Sequence, residues 1–427
     1  MRCYNPPTMQ PFRFVHAADL HIDSPFKGLL EYEPRIAQRL KDATYEAYSN
    51  LIDLCIAQDA AFVVIAGDVY DGADRSVQAQ MRFRDGLNRL QAHEIQSFVV
   101  HGNHDPLDGR LSRIPMPESS HAFGPDPEWS TASVKGTPVA QIQGVSYPTR
   151  EVHDNLALQF TPPSGALFSI GLLHCNVGGI AEHDNYAPCT VDDLSATGID
   201  YWALGHVHTR QTLRQSGPAI EYPGNLQGRH PNESGPKGAL VVDVDEAGRV
   251  TSRFEPLDVV RWESLDVSIN GLADVDALLE SAHAAIETER IRADERDLVC
   301  RISFTGRGPL HHDLSADNAL EDLTNELRSN LSASASLIWV ERISDRTAPT
   351  VDIDALTDRD DFVGAVMKRS LAALNHEGSE ATLRESLASV LGQRRFSGVL
   401  EMPEDDQMAE IVEAARFELA ELFERED

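Results

Sequence analysis

Five short polar motifs, each directly after a short apolar stretch, constrain the fold of this chain more than any other feature of its sequence. The apolar stretches are residues 12–17, 61–66, 97–100, 166–173 and 201–204, and their composition is typical of buried β-strands. In open α/β folds, ligands bind at the carboxyl ends of strands, so we predict one shared site there. The motifs are Asp19-Leu20-His21, Gly67-Asp68-Val69-Tyr70-Asp71, Gly102-Asn103-His104-Asp105, His174 and Gly205-His206-Val207-His208.

One helical pattern lies between the first and second of these strands, and another lies between the second and third. Apolar residues recur at three- or four-residue steps across residues 35–58, and a second helix is predicted at 77–92. Alternation of strand and helix predicts an α/β domain with covered sheets. A hairpin of residues 239–244 and 250–257 closes this domain, which we predict to span 12–257 after a disordered leader at 1–11.

The pattern changes after residue 257. Strands at 262–269, 298–304 and 336–343 alternate with helices at 272–288 and 315–330, which predicts a small α+β domain at 258–344. Residues 345–427 read as an acidic linker followed by a helical region, with 20 acidic against 9 basic side chains. An apolar stripe at 408–423 fits either an ordinary solvated helix or a helix that docks a partner protein.

The donor types in the motifs indicate a metal site. Asp, Asn and His supply oxygen and nitrogen donors without a thiolate, a set that suits manganese, iron, zinc or cobalt and disfavours structural zinc. A carboxylate can bridge two ions that lie about 3.5–4 Å apart, as hydrolytic two-metal sites require. A single one of these motifs means little, but five of them at successive strand ends predict a two-metal phosphoesterase.

Composition limits the remaining possibilities. The chain has 427 residues and a formal charge of −31, which argues against broad electrostatic binding to nucleic acid. Its five cysteines have no paired spacing, which favours a reducing cytoplasm over a disulfide framework. No apolar stretch is long enough to span a membrane.

With these motifs in this order, the chain resembles the calcineurin-like metallophosphoesterase superfamily and, within it, DNA repair exonucleases of the SbcD/YhaO type. The resemblance is close across residues 12–257, looser across 258–343 and absent beyond about 345. It implies a four-layer α/β/β/α sandwich, a small α+β capping domain that helps to position DNA, and a helical C-terminal region. The similarity to the SbcD/YhaO type, beyond the five superfamily motifs, lies in residues 16–26, 186–194, 200–208 and 222–238.

The resemblance also implies a role for each motif residue. Asp68 would bridge two divalent ions, manganese with iron or zinc as alternatives, and a hydroxide between the ions would attack phosphorus. His104 would steady the phosphate and protonate the leaving oxygen, with Asp71 orienting its imidazole. The first ion would be held by Asp19, His21 and His208, and the second by Asn103, His174 and His206.

Other polar residues have less specific interpretations. We interpret His16 as a core histidine, Cys175 as a buried thiol, and both His101 and Asp105 as supporting or structural. Asp23 fits equally well a role in supporting the metal site and the capping of a helix or turn. Asn225 and Arg229 fit either contact with the substrate phosphate or a surface turn.

The sequence leaves three functions open. The first is a metal-dependent DNA exonuclease in repair, with an SbcC-type coiled-coil ATPase docked on the C-terminal helices and a homodimer as a further option. Basic residues on the first two helices fit equally well contact with DNA and ordinary solvated helix faces: Arg35, Arg39, Lys41, Arg82, Arg84 and Arg89. The second is a phosphodiesterase acting on a small nucleotide or phosphodiester, which the negative charge fits slightly better and which the second domain and the extended loop from Tyr222 fit worse. The third is a non-catalytic regulatory subunit of a repair complex, against which the complete ligand set argues.

Overall fold

A computed structural model describes most of the chain. The described residues are 9–24, 34–72, 76–109, 114–179, 185–331, 336–375 and, towards the C-terminus, 387–388, 411, 415–417, 419–420 and 422–423. Residues 1–8 of the predicted leader and half of the predicted helix at 408–423 therefore lie outside the described residues.

Strands and helices alternate across residues 12–100 as the sequence predicts, and consecutive strands dominate from there to residue 268. The strands are β1 Phe12–Ala17, β2 Phe62–Ala66, β3 Gln96–Val100, β4 Ser120–Ala122, β5 Glu128–Val134, β6 Thr137–Val145, β7 Phe168–His174, β8 Tyr201–Gly205, β9 Gln211–Arg214, β10 Ala219–Tyr222, β11 Gly238–Val244, β12 Val250–Pro256, β13 Val260–Ser268, β14 Asp297–Thr305 and β15 Ile338–Asp345. The helices are α1 Pro34–Ala57, α2 Val77–Ala92, α3 Val191–Ala196, α4 Val275–Arg292, α5 Leu310–Leu314, α6 Ala319–Leu331, α7 Ile353–Asp358 and α8 Phe362–Asn375, with a 3₁₀ turn at Leu156–Gln159.

Two six-stranded sheets carry the polar motifs at one edge. The first has the order β12-β11-β1-β2-β3-β4, in which β1, β2 and β3 run parallel. The second has the order β5-β6-β7-β8-β10-β9, in which β6, β7 and β8 run parallel. Parallel strands end at the same edge of their sheet, so each sheet collects its motifs at its carboxyl edge.

The two sheets pack face to face through aromatic side chains. On β1, Phe12 and Phe14 belong to the core between the sheets, whereas Val15 and Ala17 belong to the core under the helices. This alternation follows from the two-residue period of a strand. Helices α1 and α2 cover the first sheet, and α3 with the 3₁₀ turn covers the second. The four-layer α/β/β/α sandwich is therefore confirmed.

Phe14 provides a test of this interface. Its ring is fully buried and lies 5.1 Å from the Phe62 ring and 5.2 Å from the Tyr201 ring, measured between centroids. Phe14→Ala should therefore lower the free energy of unfolding by about 3–5 kcal/mol, because it removes apolar area and leaves a cavity. Urea denaturation measures this change. Leu158→Ala, at a residue that is 69% exposed, is the control and should change it by less than about 0.5 kcal/mol.

Several strands of the second sheet were missing from the sequence prediction. Strands β5, β6, β9 and β10 are polar, interrupted by polar residues or short, and only one residue of β5 is buried. They therefore lack the apolar runs that identify β7 and β8. The short β4 at the edge of the first sheet was missed for the same reason.

The chain divides into two compact units. One comprises residues 1–265, 283–302 and 324–342, and the other comprises 266–282, 303–323 and 343–427. The predicted β-α-β-α-β order is present, with sheet order β13-β14-β15; α6 corresponds to the helix predicted at 315–330, and the short α5 before it was not predicted. In the second unit, Leu356, Met367 and Ala420 form a small buried cluster. The predicted domain boundaries at 257 and 344 remain predictions.

Candidate active site

The backbone turns sharply where the motifs leave their strands. Asp19, His21, Asp68 and His206 have φ angles of 51°, 43°, 49° and 100°, in the left-handed region that non-glycine residues rarely adopt. Such strain persists only where the surrounding structure enforces it, and it concentrates at functional sites. These four turns aim side chains from β1, β2 and β8 towards one point.

A first group of donors joins β1 to β8. The Nε2 atoms of His21 and His208 are 3.2 Å apart, and His208 Nε2 is 3.9 Å from Asp19 Oδ1. These three side chains offer ligand atoms that lie within 4.8 Å of one another. The Asp19 carboxylate is held in place by the backbone N–H of His206, which lies 3.1 Å from both of its oxygens.

A second group joins β3 to β7 and β8. Asn103 Oδ1 lies 3.0 Å from His174 Nε2 and 3.3 Å from His206 Nδ1. Asp68 lies between the two groups, because its Oδ2 atom is 3.4 Å from His174 Nε2 and 3.8 Å from His21 Nε2. The structure thus assembles all seven predicted ligands into two adjacent groups that share one carboxylate.

The hydrogen bonds on the far side of the imidazoles fit a cation. His174 Nδ1 donates to the Ala66 carbonyl at 2.9 Å, so in the neutral ring Nε2 presents a lone pair to the oxygens of Asn103 and Asp68. Similarly, His208 Nδ1 donates to Glu233 at 2.7 Å, so its Nε2 lone pair faces His21. Converging lone pairs repel unless a positive charge lies among them, and neutral imidazole is the form that binds metals.

The pKa values reflect this concentration of charge. Burial lowers the pKa of His21 to about 3, with a further contribution from the Arg229 charge, so this ring is neutral. Burial would also lower the pKa of His174, but the Asp68 and Asp19 carboxylates raise it to about 9. Burial raises the pKa of Asp19 to about 6, partly offset by His174 and His208. The two carboxylates therefore require positive charge at this point, which either a proton on His174 or a bound cation can supply.

His104 lies beside the donor groups and is held differently. Its Nδ1 atom is 2.8 Å from Asp71 Oδ1, and its side chain is 33% exposed. Burial lowers the pKa of His104, but the hydrogen bond with Asp71 and the Asp68 charge outweigh it, so the net shift is upwards. The ring is thus fixed by a carboxylate on one nitrogen, and the other nitrogen can hold a proton for a leaving group.

Two glycines leave room for the donors. A Cβ atom on Gly102 would collide with Asp68 Oδ1 and lie 2.7 Å from His174 Nε2, and one on Gly67 would collide with the His174 ring. The glycines at these strand ends therefore serve as more than flexible turns, because side chains here would displace the donors.

Gly102→Ala should disable the site without removing any donor. The added methyl group displaces Asp68 and His174, and a misplacement of about 1 Å can cost about 10²-fold in rate. Hydrolysis of bis-p-nitrophenyl phosphate with manganese measures the loss. Gly124→Ala, where a Cβ meets no atom within 4 Å, is the matched control and should retain full activity.

The less specific sequence interpretations are mostly supported. His16 is a core histidine: its Nε2 is 3.2 Å from the Leu204 carbonyl, and burial lowers its pKa to about 3. Asp105 is structural, since it accepts hydrogen bonds from the backbone of Gly102 and Val69 and from His101. Cys175 is a buried free thiol, as are Cys55, Cys189 and Cys300.

Other residues differ from expectation or were missed. Asp23 pairs with Lys41 of α1 at 2.8 Å. Asn225 is fully buried, and the Arg229 side chain is only 15% exposed, so the surface-turn alternative fails for both. Sequence reasoning did not single out Ser24, which donates to Asp71 Oδ2 at 2.6 Å, or Glu233, which binds His208. Neither contact has a local signal, because the partners are distant in sequence.

Comparison with known proteins agrees with this geometry. Residues 12–210 match the family "Calcineurin-like phosphoesterase", and residues 262–348 match "Metallophosphoesterase YhaO, middle domain". The chain is 33% identical to the uncharacterized metallophosphoesterase YhaO of Bacillus subtilis over 83% of this chain and 86% of that protein. The chain is a member of the YhaO family of calcineurin-like metallophosphoesterases.

More distant relatives of this YhaO-family chain include a DNA repair protein and a nuclease subunit. It is 24% identical to the DNA double-strand break repair protein Mre11 of Thermoplasma acidophilum, over 73% of this chain and 80% of that one. It is 22% identical to a subunit of the SbcCD nuclease of Bacillus subtilis, over 67% of this chain and 81% of the relative. Among the described residues, no helix is long and apolar enough to cross a membrane.

Proposed function

We propose that this YhaO-family protein is a two-metal phosphodiesterase that cleaves DNA and acts as an exonuclease in repair. The observation that carries the phosphodiesterase chemistry is the position of Asp68 between two donor groups, with His104 paired to Asp71 beside them. The DNA substrate is supported by the similarity to Mre11 and to the SbcCD nuclease subunit.

The proposed roles of the residues follow from their contacts. Asp19, His21 and His208 would hold one ion, Asn103, His174 and His206 a second, and Asp68 both. Two divalent ions, manganese in this proposal, would neutralise the phosphate and supply a water-derived nucleophile at neutral pH. His104 would donate a proton to the leaving oxygen, while Asp71 fixes the ring through Nδ1.

The basic side chains on α1 and α2 add little support for DNA binding. Lys41 pairs with Asp23 at 2.8 Å, Arg84 with Asp85 at 3.0 Å, and Arg89 with Asp53. Arg39 pairs with Asp297 at 2.7 Å. We therefore propose that DNA affinity comes mainly from the metal site and from a partner, an SbcC-type ATPase on the C-terminal helices, with a homodimer as a further proposal.

The net charge of −31 favours a second candidate, a phosphodiesterase for small nucleotides. An acidic surface repels the long DNA backbone far more than it repels a ligand with one or two phosphates. The metal site and the role of His104 would be the same in this candidate.

One experiment separates the two candidates. The purified protein is incubated with manganese and either linear, circular or single-stranded DNA, with and without the ATPase, beside bis-p-nitrophenyl phosphate and a dinucleotide. We expect cleavage of linear DNA from its ends. Hydrolysis of the small esters with no cleavage of any DNA would refute the nuclease and leave the small-nucleotide enzyme.

A further inference from the structure

A half-buried glutamate, Glu233, contacts the first donor group on the side of His208 that faces away from the other donors. Glu233 lies in the loop after β10, and its side chain is 15% exposed. Its Oε1 atom accepts a hydrogen bond from His208 Nδ1 at 2.7 Å. Its Oε2 atom accepts from Asn225 Nδ2 at 2.8 Å and from the backbone N–H of Arg229 at 2.7 Å.

Only a carboxylate satisfies these three donors. They occupy both oxygens of Glu233, so an amide in its place would turn an NH₂ group towards at least one N–H donor. A carboxylate on Nδ1 also fixes which ring nitrogen of His208 carries the proton and leaves the Nε2 lone pair facing His21 and Asp19. Carboxylates that bind the outer nitrogen of a metal-ligating histidine orient the ring and make it a stronger donor.

The same loop also reaches the group that holds His104. The Arg229 Nη1 atom donates to Asp71 Oδ2 at 3.0 Å and to Ser24 Oγ at 3.2 Å. The other oxygen of Asp71 is 2.8 Å from His104 Nδ1. Arg229 therefore holds one oxygen of the Asp71 carboxylate, and the other oxygen orients the His104 imidazole.

We propose that Glu233 and Arg229 are a pair of positioning residues on one loop, Glu233 acting through His208 on the first metal position and Arg229 acting through Asp71 on His104. This inference rests on the proposed two-metal function. In this proposal Glu233 supports metal binding, and Arg229, four positions earlier in the chain, supports proton donation.

Metal titration tests the role of Glu233 without any substrate. Metal-free protein is titrated with manganese alone by calorimetry. We expect two ions in the wild type, and in Glu233→Gln one affinity lowered about 10- to 100-fold with the other unchanged. Saturating manganese should then restore turnover of bis-p-nitrophenyl phosphate. Glu246→Gln, at an exposed position, is the matched control and should titrate like the wild type.

A double-mutant cycle separates positioning from a general structural effect. If Glu233 acts through His208, then Glu233→Gln should add nothing to the loss of metal affinity in a His208→Ala background. An equal further loss in that background, or wild-type affinities in Glu233→Gln, overturns the proposal. If Glu233→Gln does not fold, Glu233→Asp keeps the charge and both acceptor oxygens, and it should show a smaller loss at the same ion. A wild type that binds fewer than two ions would instead refute the proposed function.

Steady-state kinetics test Arg229. Arg229→Met should lower kcat about 10- to 100-fold, less than the full contribution of acid catalysis, with KM and both manganese affinities unchanged. Excess manganese should not restore the rate, whereas Arg229→Lys, which keeps a donor for Asp71, should recover part of it. A raised KM at unchanged kcat would show that Arg229 binds the substrate phosphate and would overturn its assignment as a positioning residue.

Discussion

His104→Ala is expected to lower kcat on a phosphodiester by about 10²–10⁴-fold, the usual contribution of a positioned general acid. The side chain is removed, but the backbone N–H of His104, which donates to Asp68 Oδ1 at 2.9 Å, remains. Both ions should therefore bind with wild-type affinity. The combination of a large loss of rate and intact metal binding would identify His104 as an acid and not a ligand.

The measurement pairs turnover of bis-p-nitrophenyl phosphate with calorimetric titration of manganese. His93→Ala is the control, since His93 is exposed at the end of α2 and its Nδ1 atom bonds the Arg89 carbonyl. It should retain full activity. Wild-type activity in His104→Ala would refute its role in proton donation, and loss of an ion would show that it is a ligand.

Asp68→Asn is expected to abolish the stabilisation that manganese gives to the wild type. In the metal-free protein, the asparagine can keep the bond from the His104 backbone and turn its NH₂ group to the Nε2 atoms of His174 and His21. The fold should therefore survive. What is lost is the negative charge between the two donor groups, so neither ion retains a shared carboxylate.

Thermal unfolding with and without manganese checks this. One ion at 100 times its dissociation constant adds about 2.7 kcal/mol, which raises Tm by roughly 5–11 °C for a domain of this size. EDTA should reverse the shift in the wild type and have no effect on Asp68→Asn. Asp154→Asn, at an exposed aspartate, should behave like the wild type. A full manganese-dependent shift in Asp68→Asn would contradict the bridging position of Asp68.

Much of the fold could be predicted from the sequence, because the signals are local. Strand β1 and helix α2 were predicted with the bounds that the structure shows, and the strands that precede the other motifs differ by one or two residues. Apolar runs and helical periods depend only on neighbouring residues, so they are visible without a tertiary structure. The polar edge strands β5 and β9 carry no such run and are defined by their partners.

In the candidate site, too, some features follow from the local sequence and others only from the tertiary structure. By itself, the sequence determined which donor types exist and that they follow strands, since a strand end and its motif are adjacent in the chain. The tertiary structure decided which donors meet: His206 faces Asn103, whereas His208, two residues later, faces His21. It also placed Glu233 against His208 and Arg229 against Asp71. These contacts join residues 25 to 187 positions apart, and only the packing of two sheets and a loop brings such residues within hydrogen-bonding distance.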